Sequence, residues 1–423
     1  MKTSIGLLRQ RRFAPLFVTQ FLGAFNDNLY RTAMVILAIY TIFNDPTQEA
    51  QFSTIAQALF ILPFFLLSAV SGQLADSHDK AAIIRWVKTA EILIMMGGAA
   101  GIWFQNIPLM LAALFAMGIH STFFGPIKYA ILPQHLGKED VLAGTGLVEA
   151  GTYIAILLGT IVGGSIPAPW AAVGVLVVAA IGRIAGGMVP PALPEAEAKN
   201  LKIDWNIFTA SWRLTRATMR VSRIRLAIIC ISFFWSIGAL LAAQFPPLVK
   251  NAIGADEHVA TLFLAIFSVG IAVGSIWVNR LLKGQVSARW SPLAGVAMAA
   301  FVLLLWYAVE RWEPVPGPLL NIGQFIAYPI ADLVIVSLFG IAVFGGMFVV
   351  PLYAFLTVTV DETETARTIA VNNIVNSGFM VAATLSLSAL IGVGATIEGT
   401  LLYVSFACVV AGWIARALYR ACD

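Results

Sequence analysis

The sequence predicts an all-α membrane protein whose twelve transmembrane helices form two six-helix bundles. Its 423 residues are 59% hydrophobic and 11% charged, and the mean hydropathy is +0.87. This composition provides too little polar surface to cover a water-soluble protein of that size. Apolar runs of about twenty residues also recur along the chain, and each can cross a hydrocarbon core of roughly 30 Å at about 1.5 Å per residue.

The first apolar run is predicted to be retained as a membrane helix, although a basic N-terminus precedes it as in a signal peptide. The run contains Asn26, Asp27, Asn28 and Arg31 and has no small-residue cleavage site. Hydropathy places the twelve helices at residues 14–43, 52–76, 81–104, 108–133, 140–166, 170–190, 226–249, 258–281, 289–309, 333–359, 365–392 and 398–418.

Lysine and arginine lie mainly at the termini and in every second connection, which is typical of the cytoplasmic side of a membrane protein. The other connections contain Lys250 and Arg311 as their only basic residues and otherwise carry Asp and Glu. An even number of spans fits this asymmetry. We therefore expect a multi-pass protein of the bacterial inner membrane with both termini in the cytoplasm.

The longest polar stretch divides the chain nearly in half and predicts the domain organisation. Residues 1–190 are expected to form an N-terminal six-helix bundle, 191–225 a cytoplasmic basic linker, and 226–423 a C-terminal six-helix bundle. In the linker, apolar and arginine residues alternate at roughly helical spacing, which fits either a helix on the inner membrane face or a solvated linker helix. The residues in question are Ile203, Ile207, Phe208, Leu214, Arg213, Arg216 and Arg220.

Four polar residues in helix 1 are the first candidates for a substrate site. Asp27 and Arg31 are four residues apart, so they share one helix face and can pair, and Asn26 and Asn28 flank Asp27. Each charge in the middle of a span costs about 2.5–3.5 kcal/mol and usually faces a cavity or the bundle interior. The alternative is an ion pair that only stabilises the bundle.

Polar residues in three further helices extend this candidate site. Lys128 near the inner end of helix 4 and Glu149 in helix 5 could pair, because the two helices are antiparallel neighbours; Lys128 could instead extend to the inner interface. Asn372 and Asn373 in helix 11 either line a cavity or bridge helices.

Several functional classes are not indicated by the sequence. The three cysteines have no metal-ligand spacing, no histidine has a second histidine or a cysteine at i+3 or i+4, and no catalytic constellation is present, so we expect neither an enzyme nor a bound metal or cofactor. The pI is about 9.0, but the basic residues are scattered over loops and do not indicate nucleic-acid binding.

The string GQLADSHDK, from Gly72 to Lys80, resembles the signature of the major facilitator superfamily between helices 2 and 3. Gly72 and Asp76 match that signature, whereas Ser77 and Asp79 stand where the family usually has Arg and Gly. In the family the glycine allows close helix approach, and the carboxylate engages a helix N-terminus to hold the cytoplasmic side closed. The resemblance implies a gating motif made of Gly72, Asp76, Lys80, Lys88 and Glu91.

Longer strings resemble the lysophospholipid transporter branch of this superfamily, including the transporter portion of fusions with an acyltransferase. They are PLFVTQFLGAFNDN at 15–28, FGPIKYAILP at 124–133, VPLY at 350–353 and AVNNIVNSGFM at 370–380. The resemblance implies a monomeric transporter in contact with membrane lipids, which flips lysophospholipids, foremost lysophosphatidylethanolamine, to the cytoplasmic leaflet. A separate cytoplasmic acyltransferase/acyl-carrier-protein synthetase would then reacylate them.

Under this reading the cations Arg31 and Lys128 would bind the phosphate, and Asp27 and Glu149 would meet the ammonium group. Two other functions stay open. One is an ion-coupled exporter of drugs or small metabolites with Asp27 or Glu149 as the proton-binding group, and the other is a membrane sensor or scaffold that transports nothing.

Overall fold

The computed structural model describes residues 4–136, 138–194, 203, 205–282, 287–313, 317–359 and 362–422. In this part of the chain twelve helices are 20 to 32 residues long, and they follow the twelve predicted segments in order. They are α1 Ala14–Leu37, α2 Pro46–Ser77, α3 Lys80–Trp103, α4 Ile107–Ala130, α6 Lys138–Ser165, α7 Ala168–Gly187, α9 Ser222–Leu248, α10 Glu257–Leu282, α11 Ser291–Glu310, α13 Ala331–Thr359, α14 Glu362–Gly392 and α15 Ile397–Cys422.

Three shorter helices complete the order: α5 Leu132–His135, α8 Ile207–Thr218 and α12 Ile322–Ile326. Among the described residues, nine of the long helices are apolar enough to cross a membrane by length and composition. The other three contain charged residues in mid-span: Asp27 and Arg31 in α1, Lys88 and Glu91 in α3, and Glu149 in α6.

The C-terminal end of α1 and the N-terminal end of α2 differ from the prediction. α1 ends at Leu37 and continues as a π-helix, Ala38–Ile42, and α2 begins at Pro46 instead of residue 52. Asp45 explains the early start, because its Oδ1 accepts a hydrogen bond from Gln48 N at 2.8 Å and caps the helix, with proline in the favoured first position. Farther along, Pro63 lies inside α2.

Contacts group the chain into two compact units. The first contains Met1–Leu37 and Leu62–Ala210, and the second contains Ala38–Ile61 and Ser211–Asp423. The predicted bundles, 1–190 and 226–423, differ from these units chiefly at residues 38–61. The division of the chain into bundles 1–190 and 226–423 therefore remains a prediction.

Glycines permit the closest helix contacts within each unit. In the first unit α1 packs against α6, where a Cβ on Gly159 or Gly163 would collide with the backbone of α1. In the second unit α10 packs against α13, where a Cβ on Gly274 or Gly346 would collide with the backbone of the other helix. Small residues therefore set these helix separations.

α8 confirms that a short helix forms within the basic stretch between the halves. Trp205, just before it, and Phe208 and Trp212 within it are 68%, 69% and 68% exposed. Phe208 and Trp212 are four residues apart within α8, so they lie on one side of the helix. An exposed aromatic side beside arginines is typical of a helix at a membrane surface.

Candidate functional site

The polar residues of α1 form contacts toward two neighbouring helices, α6 and α4. Asn28 Oδ1 accepts a hydrogen bond from Arg31 Nη2 at 2.7 Å, and a Cβ on Gly159 would lie 3.1 Å from Asn28 Cβ, so Asn28 is beside α6. Asp27 Oδ2 instead accepts a hydrogen bond from Ser121 Oγ of α4 at 2.5 Å. Arg31 remains within electrostatic range of Asp27.

A buried ion pair lies beside Asp27. Lys88 Nζ of α3 donates to Glu91 Oε2 at 2.6 Å, and both side chains are at most 2% exposed. Asn26 Nδ2 donates to the other oxygen, Glu91 Oε1, at 2.9 Å. His120 Nε2 of α4 lies 3.4 Å from Glu91 Oε2.

We call Asn26, Asp27, Lys88, Glu91, His120 and Ser121 the α1–α3–α4 cluster. Burying two charges costs several kcal/mol for each ion, and good geometry with further hydrogen bonds is needed to offset that cost. Glu91 has this geometry, since both of its oxygens accept hydrogen bonds. The structure therefore places Lys88 and Glu91 inside the bundle, next to the helix 1 site.

The turn between α2 and α3 contains the rest of the predicted gating motif. A Cβ on Gly72 would meet no atom within 4 Å in the described structure, so no helix approaches it closely here. The side chain of Asp76 lies outside the described residues. Lys80 is buried, and its backbone N donates to Ala192 O at 3.1 Å.

Asp79, a departure from the family signature, has a structural role in this turn. Its Oδ1 accepts hydrogen bonds from Ala81 N at 3.1 Å and from Ala192 N at 2.9 Å. It thus caps α3 and attaches the segment after α7 to the turn.

Lys128 lies beside α1 and α6. Its Nζ donates to Thr152 Oγ1 at 3.4 Å, and Thr152 Oγ1 donates to Gln20 Oε1 of α1 at 2.9 Å. Glu149 is three residues before Thr152 on α6, but its side chain lies outside the described residues, so the Lys128–Glu149 pair stays a prediction.

The asparagines of α14 separate into different environments. Asn372 is 1% exposed, and neither polar atom of its side chain has a hydrogen-bond partner in the described structure. Asn373 is exposed. Asn376 Oδ1 accepts a hydrogen bond from Ser232 Oγ at 2.7 Å, so this asparagine bridges α14 to α9.

Sequence reasoning missed Gln20, His120, Ser121 and Thr152. Each is a polar residue within a largely apolar helix, and the adjacent pair His120 and Ser121 was the clearest available signal. The described residues contain no group of three or more His, Cys, Asp or Glu side chains placed to hold a metal ion.

An apolar crevice of about 310 Å³ lies between α3 and α7 in the first unit. Met96, Trp103, Ala172 and Leu176 are among its lining residues, and no charged residue lines it. The crevice is therefore suited to hydrocarbon and not to a polar headgroup.

Comparisons with known proteins identify the relatives of this chain. The sequence model of the Major Facilitator Superfamily matches residues 16–384. The lysophospholipid transporter LplT of Serratia proteamaculans (strain 568) is 29% identical over 356 residues, which are 82% of this chain and 80% of that protein. The protein of the same name from Citrobacter koseri is 28% identical over 385 residues, 89% of this chain and 88% of its own.

Solved structures share the fold at low sequence identity. A D-xylose–proton symporter has a TM-score of 0.71 at 11% identity, with 96% of both chains covered. The POT family transporter PepTSo has a TM-score of 0.72 at 12% identity, with 98% of this chain and 99% of that chain covered. A bacterial homologue of the human lysosomal transporter Spinster has a TM-score of 0.68 at 13% identity, with 97% and 98% covered.

Proposed function

The chain belongs to the major facilitator superfamily, and on that premise we propose that it transports lysophospholipids across the bacterial inner membrane to the cytoplasmic leaflet. The two relatives described above, which match over 82% and 89% of this chain, are named lysophospholipid transporters. Lysophosphatidylethanolamine is the headgroup class that we propose, since it carries one phosphate and one ammonium.

The observation that carries this proposal is the set of charges on α1 and α4 within a largely apolar bundle. Arg31 and Lys128 are half-buried cations, and Asp27 is a carboxylate on the same helix as Arg31. Cations suit the phosphate and the carboxylate suits the ammonium group of a zwitterionic headgroup. The apolar crevice between α3 and α7 is suited to a single acyl chain.

The orientation and partners belong to the same proposal. We place both termini, α8 and the turn between α2 and α3 in the cytoplasm, because lysine and arginine concentrate there. On that side a cytoplasmic acyltransferase/acyl-carrier-protein synthetase would restore the second acyl chain. We propose a monomer with Asp27, Arg31, Asn26, Asn28, Lys128, Glu149, Asn372 and Asn373 as substrate-site residues, and with Gly72, Asp76 and Lys80 in the gate.

The test uses bacterial cells that lack their own lysophospholipid transporter but retain the acylating enzyme. Labelled lysophosphatidylethanolamine is supplied, and its conversion to the diacyl lipid is measured with this chain or with Asp27→Asn. We expect the wild type to restore conversion and Asp27→Asn to lower it at least about tenfold at equal expression, because a charged hydrogen-bond partner is worth about 1.5–3 kcal/mol.

Asp332→Asn is the matched control, since Asp332 is an exposed acid in the first turn of α13. It should convert lysolipid as the wild type does. The lysophospholipid transporter of Serratia proteamaculans serves as the positive control. If it restores conversion and this chain does not, lysolipid is the wrong substrate, and export of drugs or small metabolites driven by a pH gradient becomes the leading function.

A further inference from the structure

An arginine, Arg183, lies on the outer surface of the first unit, one turn before α7 ends at Gly187. The apolar side chains beside it, Ile181 and Ile184, are 47% and 66% exposed, so this side of α7 faces the surrounding lipid. A charge within a span is costly in hydrocarbon, and a long arginine side chain near a helix end extends toward the headgroup layer. The guanidinium of Arg183 therefore belongs at the level of the lipid phosphates.

Thr89 of the neighbouring α3 fixes the orientation of this guanidinium. Arg183 Nε donates to Thr89 Oγ1 at 2.8 Å, and Thr89 Oγ1 in turn donates to Arg85 O at 2.8 Å. The hydroxyl hydrogen is thus already used, and the hydroxyl oxygen serves as the acceptor. Among the described residues this is the one hydrogen bond of the Arg183 side chain, so its two terminal nitrogens present an open fork of N–H donors.

A second arginine lies one helical turn from this contact. Arg85 is four residues before Thr89 on α3, so it shares the same face, and its side chain is 37% exposed. Asp79 Oδ2 lies 3.6 Å from Arg85 Nη2, and Asp79 Oδ1 accepts two backbone hydrogen bonds. Lys88, three residues after Arg85, is buried in its own ion pair. The two arginines and Asp79 together carry a net charge of one positive unit.

Exposed apolar side chains surround the two arginines. Trp86, directly after Arg85, is 77% exposed, and Leu93, one turn beyond Thr89 on α3, is 67% exposed. Tryptophan is enriched at the level of the headgroups, and leucine is suited to contact with acyl chains. The surface thus combines a cationic end with an apolar continuation toward the bilayer centre.

We propose that Arg183 and Arg85 form a binding site for an anionic phospholipid of the surrounding bilayer, such as phosphatidylglycerol. The open fork of Arg183 would hold two phosphate oxygens in a bidentate contact, and Arg85 would supply the second cation. Basic sites between transmembrane helices near the cytoplasmic face bind anionic headgroups in this way. The acyl chains would lie against the apolar surface of α3 and α7.

The charge of the site favours an anionic lipid over a zwitterionic one. A single phosphate neutralises the net positive unit, whereas an ammonium group would add a second positive charge. Asp79, the carboxylate beside Arg85, already accepts from two backbone N–H groups and faces Arg85. Binding of this lipid does not depend on which solute the chain transports.

The test measures lipid binding to the full-length protein in detergent micelles by native mass spectrometry. Phosphatidylglycerol is titrated into the wild type and into Arg183→Gln, and phosphatidylethanolamine is titrated in parallel. Arg311→Gln is the matched control, because Arg311 is an exposed arginine at the end of α11 with its guanidinium over the Tyr307 ring. It removes the same charge at the end of another span.

We expect Arg183→Gln to weaken phosphatidylglycerol binding at least about tenfold, because the charge-assisted fork is lost. Arg311→Gln should bind as the wild type does. Arg183→Lys keeps the charge but not the fork, so it should recover only part of the affinity. Equal losses in Arg183→Gln and Arg311→Gln would mean that overall charge attracts the lipid and would overturn the proposal. A wild type that binds phosphatidylethanolamine as tightly as phosphatidylglycerol would also overturn it.

Thr89→Val separates the orientation of Arg183 from its charge. It removes the acceptor of Nε and leaves every charge in place, so binding of phosphatidylglycerol should weaken severalfold. This variant also decides the matter if Arg183→Gln does not fold, and an unchanged affinity would then overturn the proposal.

Competition identifies the occupant of the site. An excess of lysophosphatidylethanolamine should leave phosphatidylglycerol bound to the wild type, because the site prefers a headgroup without an ammonium. Displacement by the lysolipid would make this surface part of the substrate path and would overturn the proposal.

Discussion

At the scale of single residues, Lys88 and Glu91 form a fully buried ion pair in the first unit. Both oxygens of Glu91 accept hydrogen bonds, and the Lys88 ammonium also lies 5.3 Å from the centre of the Phe124 ring. A buried pair of this kind stabilises little relative to apolar residues of similar size, but loss of one partner leaves an uncompensated charge.

Glu91→Gln tests this asymmetry. It leaves Lys88 as a buried cation without its counter-ion, so we expect the free energy of unfolding to fall by about 3–5 kcal/mol. The double variant Lys88→Met, Glu91→Gln should recover most of that loss, because neither charge remains. Thermal unfolding of the purified protein in detergent measures both, with the exposed Glu310→Gln as control. A double variant no more stable than Glu91→Gln would contradict the argument.

Only part of this site could be predicted from the sequence. Asp27 and Arg31 are conspicuous because charges are costly in an apolar run. His120 and Ser121 are not, since their role depends on contacts such as Ser121–Asp27, which joins residues 94 positions apart. No local pattern encodes such a pair.

At the scale of helices, length and hydropathy predicted every long element, because a bilayer demands about twenty apolar residues whatever the helix contacts. The ends were less predictable. The π-helices Ala38–Ile42 and Val249–Ile253 extend α1 and α9 without any distinct composition, and the second ends at Gly254 with φ +73°. Backbone geometry of this kind depends on tertiary packing.

Gly274→Ala tests the contact between α10 and α13. The new Cβ would meet the backbone of Val343, which cannot rotate away, so we expect a loss of about 1–3 kcal/mol in unfolding free energy. Gly238→Ala in α9 is the control, since its Cβ would meet nothing within 4 Å and alanine favours helix. The unfolding temperature should therefore fall for Gly274→Ala and stay the same or rise for Gly238→Ala. Equal changes in the two variants would show that the close contact at Gly274 is unimportant.

At the scale of the molecule, residues 38–61 belong by contact to the second unit although they precede most of the first. Glu49 accepts hydrogen bonds from Lys250 Nζ at 2.5 Å and from Asn251 Nδ2 at 2.6 Å. Lys250 also donates to the carbonyl of Ile39. The sequence could predict a division near residue 200 from composition, but not this exchange of partners, because it depends on contacts about 200 residues apart.

Glu49→Gln should loosen this attachment, because Lys250 loses its buried counter-ion. Thr54, which accepts a hydrogen bond from Gln244 Nε2 at 3.0 Å, is a suitable reporter. We expect a cysteine introduced at Thr54 to react with a polar maleimide severalfold faster in Glu49→Gln than in the wild-type background. A cysteine at Ser405, buried between α11 and α15, should not change. Equal rates at Thr54 would contradict the role assigned to Glu49.

The first two long helices change their contact partners where their backbones are irregular. The change after Leu37 coincides with the start of the π-helix, and the change after Ile61 lies two residues before Pro63. A proline nitrogen cannot donate the hydrogen bond of a regular helix, and both features bend more easily than regular helix. The chain thus leaves the first unit and returns to it at two places where the helical backbone is easily bent. Any movement of residues 38–61 would have to bend the chain there, so stiffening either place should slow turnover without altering what the site binds.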